Sequence, residues 1–332
     1  MRRGSEGRRE KYFSVIAGVD PTLALPEAWL HYDQMSATAF LRDVGASSGA
    51  IASYHDAFAP DDSLDNLSAL ALIREVANFS REIGLTGKGG RIAGGADKLP
   101  TATAERLGKR VSYGAKIVRI EQTKTGVRVV FERAGQTESI EAGRAVCALP
   151  STVLGAISFQ PALSTEKQRA IRDLTMVSVS RVFVGCERRI WTEQGQAGAV
   201  ETDDWLHKLT DETDPTDAPG GVLGVYAVGD AARRIAAMSA ADRLSAVGEL
   251  AERSHPGVKP LIYGGASKCW DDDPLQRGAY AHLRPRELTT LATALAKAEH
   301  AIHFAGDQTS YRPGFMHGAL GSAKRVLSEI AG

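Results

Sequence analysis

Hydrophobic residues in the first third of the chain recur at helical spacing. Ser36 is expected to cap a short helix, and residues 65–83 carry apolar side chains at alternating steps of three and four. Gly84 follows as a stop signal, and a further helix is predicted over residues 98–107, ended by Gly108. The apolar face of the 65–83 helix consists of Ala69, Leu72, Val76, Phe79 and Ile83. This part of the chain is therefore predicted to be helical.

From residue 117 onward the pattern changes to one that favours β-strands. Val127, Val129 and Phe131 occupy alternate positions, and Gly126 and Gly135 fall where turns are needed. Strands are predicted over residues 117–121, 127–131, 139–141 and 145–149. We therefore expect a β-meander in this region.

The remainder of the chain mixes helices and strands. Thr165 and Gln168 match a capping box that starts a helix running to Leu174, and the acidic stretch 203–217 is interpreted as a solvated loop. The other predicted elements are strands over 177–186, 221–228, 260–263 and 301–304 and helices over 231–238, 241–253 and 315–330. This order does not fit one regular α/β wind. It predicts a mixed α/β (α+β) fold of two interleaved domains.

Composition and charge exclude several classes of protein. The chain has 332 residues, and at about 100–200 residues per domain it is expected to form two domains. Forty Lys and Arg balance forty Asp and Glu, which argues against a nucleic-acid binder because such proteins need excess cations. No apolar run approaches the ~18–20 residues that span a bilayer. The odd number of cysteines (Cys147, Cys186 and Cys269) disfavours a disulfide scaffold and favours a cytoplasmic location.

Several common motifs are absent from the sequence. The Gly-x-Gly-x-x-Gly motif of dinucleotide-binding folds is not found, because Ile92 stands where the third glycine after Gly87 and Gly89 is needed. No Gly-Lys-Ser/Thr phosphate loop is present, and the cysteines lie too far apart to predict a metal site. Residues 45–49 match the letters of a nucleophile elbow but follow a predicted helix, where that motif needs a strand. Hydrolase and metalloenzyme functions therefore have little support.

The N-terminal segment leaves two interpretations open. Residues 1–12 are basic, and the apolar run 13–19 is too short for a secretory signal. The segment is either a frayed solvated tail or the product of a start codon inside a longer ancestral reading frame.

Four segments combine residues that suit a flat or polyol ligand. Gly94 and Gly95 precede a helix, where backbone can approach a ligand closely and free amides are available. Asp307 follows a strand and precedes a glycine-rich helix start. The four segments are residues 91–100, residues 116–121 with the strands up to 150, residues 270–280 with Trp270 and Tyr280, and residues 303–322. Each segment alone is equally compatible with an ordinary loop or core position.

In this order and spacing, the four segments resemble the flavin-containing amine oxidase family, which includes monoamine, polyamine and L-amino acid oxidases. The resemblance extends from about Leu64 to the C-terminus. It implies an FAD-binding domain interleaved with a substrate-binding domain. By this resemblance, residues 1–92 and 167–272 form the substrate-binding domain, and residues 93–166 and 273–332 the FAD-binding domain.

The resemblance also assigns residues to the cofactor. Asp307 would hold the ribityl and phosphate region, and the backbone around Ile117 would lie against the adenine end. The Met316 amide, at a helix start, would face the N1–C2 edge of the flavin, where a helix N-terminus stabilises negative charge. The full set of implied cofactor positions is Gly94, Gly95, Ile117, Trp270, Gly306, Asp307, Phe315 and Met316.

The implied catalytic positions are Tyr280, Phe315, Arg181 and Trp270. Tyr280 and Phe315 match the aromatic pair that sandwiches the amine, and Trp270 would flank the isoalloxazine. Arg181 matches the family's lysine near flavin N5, and arginine is bulkier and always protonated. Ala279 stands where some members tether the cofactor through cysteine, so FAD is expected to bind non-covalently. Phe315 replaces a tyrosine, which weakens the cage.

The family's N-terminal dinucleotide fold has no counterpart in this sequence, so the chain is expected to be a truncated member that binds FAD poorly alone. Three functions remain open. The first is oxidation of an amine or amino acid to an imine with oxygen as acceptor. The second is a non-catalytic remnant or a subunit that needs a complementing chain or forms a homo-oligomer. The third is oxidation of a carotenoid or porphyrinogen. Besides Arg181, the possible contacts for a substrate carboxylate are Arg91, Arg284 and Arg312, each interpreted mainly as a surface charge.

Overall fold

The computed structural model describes residues 27–58, 64–86, 92–214, 220–310 and 312–332. The chain divides into two compact units. The first unit comprises the residues up to Thr175 together with Tyr280–Gly332, and the second comprises Met176–Ala279. Both helices and mixed sheets are present, so the predicted mixed α/β fold of two domains is confirmed. The functional assignment of the domain segments stays a prediction.

The α-helices of the described residues are α1 (Ala37–Asp43), α2 (Ser48–Phe58), α3 (Ala69–Thr86), α4 (Lys98–Leu107), α5 (Ser151–Leu154), α6 (Thr165–Asp173), α7 (Ile190–Glu193), α8 (Gly229–Ala236), α9 (Ala240–Ser254), α10 (Thr293–Ala296) and α11 (Met316–Ala331). The strands are β1 (Lys116–Gln122), β2 (Val127–Arg133), β3 (Gln136–Ala142), β4 (Ala145–Cys147), β5 (Ser158–Gln160), β6 (Thr175–Met176), β7 (Val179–Cys186), β8 (Val200–Glu201), β9 (Lys208–Asp211), β10 (Gly221–Val228), β11 (Ile262–Cys269), β12 (Ala281–His282) and β13 (Ile302–Phe304). Of the described helices, none is long and apolar enough to cross a membrane.

The helical N-terminal part of the first unit is organised by two serines. Ser36 caps α1 as predicted, because its side chain accepts a hydrogen bond from the amide of Ala39. Ser68 does the same for α3 by accepting from Ala71. This cap explains why α3 begins at Ala69 and not at residue 65. The predicted stop at Gly84 is wrong, since α3 continues to Thr86.

The apolar stripe predicted for α3 is buried where its side chains are described. Ala69 and Leu72 are fully buried, Val76 is half-buried, and the side chains of Phe79 and Ile83 lie outside the described set. The core that these residues enter also contains Phe40, Leu41, Leu64 and Ile73.

The meander of the first unit has the strand order β3-β2-β1-β5. Strand β1 runs antiparallel to β2, with a bulge between Ile117 and Arg119, and parallel to β5. A separate parallel pair joins β4 to β13, with Cys147 opposite Phe304. All three residues of β13 are buried. The carboxyl ends of β4 and β13 therefore lie at one edge, where ligands bind in parallel sheets.

The second unit is a five-stranded antiparallel sheet in the order β11-β7-β10-β9-β8. Along β7, Ser180, Val182 and Val184 are buried, whereas Arg181 and Phe183 face the other side and are half-buried. Helices α8 and α9 contribute Ala232, Ile235, Val247 and Leu250 to the core of this unit, beside the buried strand residues.

Three local predictions are wrong. The capping residue of α6 is Ser164 and not Thr165, because the Ser164 side chain accepts from the amide of Lys167. The acidic stretch 203–217 is not all loop, since β9 lies within it and pairs with β10. The strand expected over 260–263 is instead β11, which starts two residues later and continues to Cys269.

Candidate functional site

In the loop between β13 and α11, the Asp307 carboxylate bonds a backbone amide seven residues further along the chain. Asp307 directly follows Gly306, whose φ of 112° suits glycine alone. The Asp307 Oδ2 atom accepts a hydrogen bond of 2.6 Å from the amide of Gly314. The amide of Gly306 donates to Ser322 Oγ, on α11, at 2.9 Å. The predicted residues Gly306 and Asp307 therefore lie at a loop that is fixed at both ends.

Tyr280 lies directly against this loop. A Cβ atom placed on Gly314 would be 3.1 Å from Tyr280 Cγ and 3.2 Å from its Cβ, and Gly314 has a φ of 83°. Both the backbone conformation and the space therefore require glycine. The structure brings the predicted residues Tyr280 and Asp307 to the same glycine.

Phe315 precedes α11 as its N-cap residue and is half-buried. The guanidinium of Arg312 lies 4.2 Å from the centre of the Phe315 ring. Arg312 is only 3% exposed, so its interpretation as a surface charge is wrong. A cation against this ring face reduces the ring's capacity to hold a second cation on the same side.

The start of α11 presents amides to the loop. Met316 is the first residue of this 16-residue helix and is half-exposed. The first amides of a helix have no partner within it, and the helix dipole is positive there. A Cβ on Gly318 would lie 1.9 Å from the Arg312 carbonyl oxygen, so glycine allows the helix and the loop to approach closely.

Gln308 joins the ends of β4 and β13, a role that the sequence analysis missed. Its Oε1 accepts from the amide of Ser151 at 2.9 Å, and its Nε2 donates to the carbonyl of Leu149 at 2.6 Å. The side chain is buried. The only signal in the sequence is a polar residue directly after Asp307, which gives no indication of a partner more than 150 residues away.

The buried side chain of Lys167 packs against Phe304 of β13. Lys167 Nζ lies 3.6 Å from the centre of the Phe304 ring and donates to the carbonyls of Leu295, at 2.7 Å, and Lys297, at 2.5 Å. These carbonyls lie at the C-terminal end of α10, where acceptors lack helical partners. Burial lowers the pKa of Lys167 to about 8.

The Gly94–Gly95 turn lies before α4 as predicted. The φ angles are 77° and 105°, and the Gly95 amide donates to the carbonyl of Ile92 at 3.0 Å. Both glycines are exposed, and Asp97 makes no side-chain cap on α4. Arg91 lies outside the described residues. The turn has the open backbone that was predicted, and its contact with a cofactor stays a prediction.

Ile117 lies on β1 beside the bulge, half-buried, and is paired in register with Phe131. A bulge locally changes the direction of the strand. The role of Ile117 at the adenine end stays a prediction.

Trp270 and Arg181 belong to the second unit, unlike Tyr280 and Phe315. Trp270 follows β11, and its backbone pairs with Val179 and Gly278. Ala279 donates its amide to Val177. The predicted role of Trp270 beside the flavin stays a prediction.

Arg181 pairs with a carboxylate inside its own unit. Its Nη2 donates to Glu212 Oε1 at 2.7 Å, and Thr210 Oγ1 donates to the same oxygen at 2.9 Å. The guanidinium also lies 4.8 Å from the Phe183 ring centre and 5.4 Å from that of Tyr226. Arg181 is thus held on an aromatic surface with its charge compensated, which lowers its attraction for a further anion. Arg284, the other arginine considered, is exposed.

No group of three His, Cys, Asp or Glu side chains that could hold a metal ion occurs within the part of the chain that the structure describes. The features that remain are a glycine-rich loop, a helix N-terminus, a carboxylate and two aromatic rings, all in the first unit. This set can bind a polar, partly anionic, flat molecule.

Comparison with known proteins identifies this arrangement. The family of flavin containing amine oxidoreductases matches residues 34–330. The chain therefore belongs to this family of flavoprotein oxidoreductases, and the resemblance found in the sequence is confirmed.

The curated relatives include L-amino-acid oxidases. The enzyme of Siganus canaliculatus is 26% identical over 311 residues, which is 91% of this chain and 58% of the relative. That of Vipera ammodytes ammodytes is 24% identical over 248 residues, 72% of this chain and 51% of the relative. The chain therefore spans less than two thirds of the length of these relatives.

Solved structures of amine oxidases share the fold. Cyclohexylamine oxidase from Brevibacterium oxydans has a TM-score of 0.77 at 21% identity, covering 97% of this chain and 73% of that one. Putrescine oxidase bound to putrescine has a TM-score of 0.80 at 19% identity, with the same coverage.

Proposed function

We propose that this protein takes part in the FAD-dependent oxidation of an amine or amino acid to an imine, with oxygen as the electron acceptor. The observation that carries the proposal is the contact set at Gly314. Its amide bonds Asp307, and Tyr280 fills the space where a side chain would stand. An aromatic ring and a carboxylate are thereby fixed beside the start of α11.

The residues of the first unit fit a non-covalently bound FAD. Asp307 keeps a second carboxylate oxygen beyond the one that bonds Gly314, and a carboxylate accepts hydrogen bonds from ribityl hydroxyls. The amide of Met316, at the start of α11, would stabilise negative charge at the N1–C2 edge of the ring. Gly94 and Gly95 offer open backbone for a close approach. Ala279 provides no nucleophile for a covalent link.

The protein's own part in the reaction is to bind and orient the substrate. When bound, the flavin would supply the two-electron oxidant for the carbon bearing the amine, with oxygen as the final electron acceptor. Tyr280 and Phe315 would hold the amine between their rings and exclude water. Trp270 would flank the cofactor. No strong base is needed for this reaction.

The test is to purify the full chain, add FAD and record flavin absorbance after removing the free cofactor. Peroxide release is then measured with putrescine, cyclohexylamine and a panel of L-amino acids. Because FAD is expected to bind the chain weakly, we expect partial flavin retention, and peroxide formation with at least one substrate. A chain that retains FAD but oxidises none of these compounds contradicts the substrate class, and one that never retains FAD contradicts activity of the chain alone.

A second function, that of a subunit completed by another polypeptide, is favoured by one surface. Met316, Leu320 and Leu327 form an apolar stripe along α11 and are 50%, 60% and 66% exposed. Val146 of β4 is 48% exposed, and the parallel pair β4–β13 has no further strand among the described residues. Exposed apolar stripes and open strand edges are typical of surfaces that another segment covers.

Replacing Leu320 and Leu327 by glutamate separates the two functions. If a complementing chain covers the stripe, the double variant loses co-purification with it and any flavin retention that depends on it. Ile140→Glu on the exposed strand β3 is the control, because Ile140 is 59% exposed and lies far along the chain from α11. If wild type, double variant and control all retain flavin, and to the same extent, the result supports an oxidase that acts without a complementing chain.

A further inference from the structure

A pocket lies in the first unit, away from the Gly306–Gly314 loop along the strands. It has a volume of about 620 Å³, which is within the range of small-molecule sites. Its lining consists of Gln122, Thr123, Lys124, Thr125, Gly126, Arg144, Pro161, His300 and Ala301. These residues come from the end of β1, the start of β4 and the turn before β13. The pocket is thus at the amino-terminal edge of the β4–β13 pair, whereas Asp307 follows its carboxyl edge.

Hydrogen bonds fix the three segments to one another. The Ala301 carbonyl accepts from the amide of Ala145 at 2.9 Å, and the Ala301 amide donates to Gln122 Oε1 at 3.4 Å. Arg144 and His300 each precede one of these bonded residues, so their backbones are held next to each other. Lys124 lies two residues beyond Gln122. The three basic residues therefore come from neighbouring segments, and all three line the pocket.

The turns that present these side chains are defined tightly. The β1–β2 turn is closed by the amide of Thr123 donating to the carbonyl of Gly126 at 2.8 Å. His300 has a φ of 52°, a conformation uncommon for residues other than glycine. It lies in a two-residue turn closed by reciprocal hydrogen bonds between Glu299 and Ile302. Strained backbone of this kind is concentrated at functional sites.

The ionisable residues that line the pocket are all basic. Its ionisable lining groups are Lys124, Arg144 and His300, and no carboxylate is among the lining residues. Within the described part of the chain, neither Lys124 nor Arg144 pairs with an acidic side chain. The neighbouring acid Glu299 is bound by both the amide and the hydroxyl of Ser164, at 2.9 Å and 2.6 Å.

The other acids close in sequence are also engaged. Glu121 and Glu141 both accept from Arg128. Among the described residues, no ion pair with an acidic side chain compensates the positive charge of Lys124 and Arg144. The hydroxyls of Thr123 and Thr125 and the side-chain amide of Gln122 add uncharged donors for an anion's oxygens.

We propose that this pocket binds a small anion with two or more negative charges, at a site separate from the flavin. Lys124 and Arg144 supply the charge, and His300 with the threonine hydroxyls supplies further hydrogen bonds. Phosphate oxygens and carboxylate oxygens both accept hydrogen bonds and carry negative charge. Experiment distinguishes a phosphate ligand from a carboxylate ligand. The proposal does not depend on catalysis by this chain.

The test is calorimetric titration of the full chain with inorganic pyrophosphate and, separately, with citrate. We expect binding of at least one of them, weakened by added salt, and the tighter of the two identifies the source. Lys124→Ala and Arg144→Ala are each expected to reduce the affinity about tenfold, since each removes a charge-assisted contact. The absence of binding by both anions overturns the proposal.

Two controls distinguish anion binding in this pocket from non-specific electrostatic binding and from binding in the flavin site. The double variant Lys109→Ala/Arg110→Ala removes two exposed cations from the same unit and is expected to bind as wild type does. Equal losses in this control and in Lys124→Ala/Arg144→Ala overturn the proposal. Pyrophosphate affinity is expected to be unchanged by saturating FAD, and competition by FAD places the anion in the cofactor site instead and also overturns it. The titration gives a result even if the chain retains no FAD.

Discussion

At the scale of single residues, Tyr280 is the side chain most directly tied to the proposed amine oxidation. It is half-buried and in contact with Gly314. Tyr280→Ala is expected to lower kcat/KM for amines about tenfold or more, because it removes one face of the aromatic cage, and to change FAD affinity by less than about threefold. Tyr113→Ala, at a site 76% exposed in the same unit, is the control. Equal losses of turnover and flavin binding would count against the cage.

Substitutions of Gly314 and of a matched glycine separate the effect of backbone strain from the effect of displacing Tyr280. Gly314→Ala is expected to destabilise the fold by about 1–2 kcal/mol through its positive φ, and also to displace Tyr280. Gly135→Ala has a similar φ of 79° but open space around the added Cβ. Gly314→Ala should therefore lose at least as much thermal stability as Gly135→Ala, and only Gly314→Ala should lose amine turnover. If Gly135→Ala loses turnover as well, strain alone is the cause.

At the scale of elements, Lys167 connects α6, α10 and β13. Lys167→Met is expected to lower the free energy of unfolding by about 1–3 kcal/mol, because two carbonyls at the end of α10 lose their donor and Phe304 loses its cation. Arg169→Met, on an exposed position of the same helix, should change it by less than about 0.5 kcal/mol. Denaturant unfolding measures both. A similar small change in both would show that Lys167 contributes only its apolar stem.

The elements with local signals were predictable from the sequence, and those defined by distant contacts were not. Helix α4 ends at Gly108 as predicted, since a glycine stop is local. Strand β9 is not predicted because the acidic stretch 203–217 around it resembles a loop, and only pairing with β10 makes it a strand. Likewise, α3 passes through Gly84, because a single glycine costs only about 1 kcal/mol in a helix.

The candidate site divides in the same way. The glycines and Asp307 were predictable because each position needs a particular residue type. Gln308, the burial of Arg312 and the pairing of Arg181 with Glu212 depend on partners brought near by folding. A linear pattern contains no information on such pairs.

At the scale of the whole molecule, the free cysteines report on unfolding. Cys147, Cys186 and Cys269 are buried, and burial raises the pKa of Cys147 and of Cys186 to about 11. At pH 9 these two thiols should therefore react slowly with iodoacetamide in the native protein and quickly in denaturant. Mass spectrometry of quenched samples gives the rates. Rapid native labelling of Cys147 or Cys186 would contradict the burial.

The same shift has a defined effect on stability. Between pH 9 and about 11 the unfolded thiols lose their protons while the native thiols keep them, so the native state binds more protons. The contribution of these thiols is therefore complete below pH 9 and is lost as the pH rises through about 11. Comparison of wild type with Cys147→Ala across this range isolates one thiol, and the variant should show a shallower decline.

The double contact of Gln308 limits how this region can change. The side-chain amide of Gln308, after β13, accepts from the Ser151 amide and donates to the Leu149 carbonyl, both in the segment after β4, so its orientation is fixed. Glutamate has the same shape but would place a carboxylate oxygen against the Leu149 carbonyl oxygen, and leucine would leave both backbone groups unsatisfied. Any redesign of the substrate loop that shifts residues 306–314 must therefore carry residues 149–151 with it, and insertions in either segment would have to be matched by changes in the other.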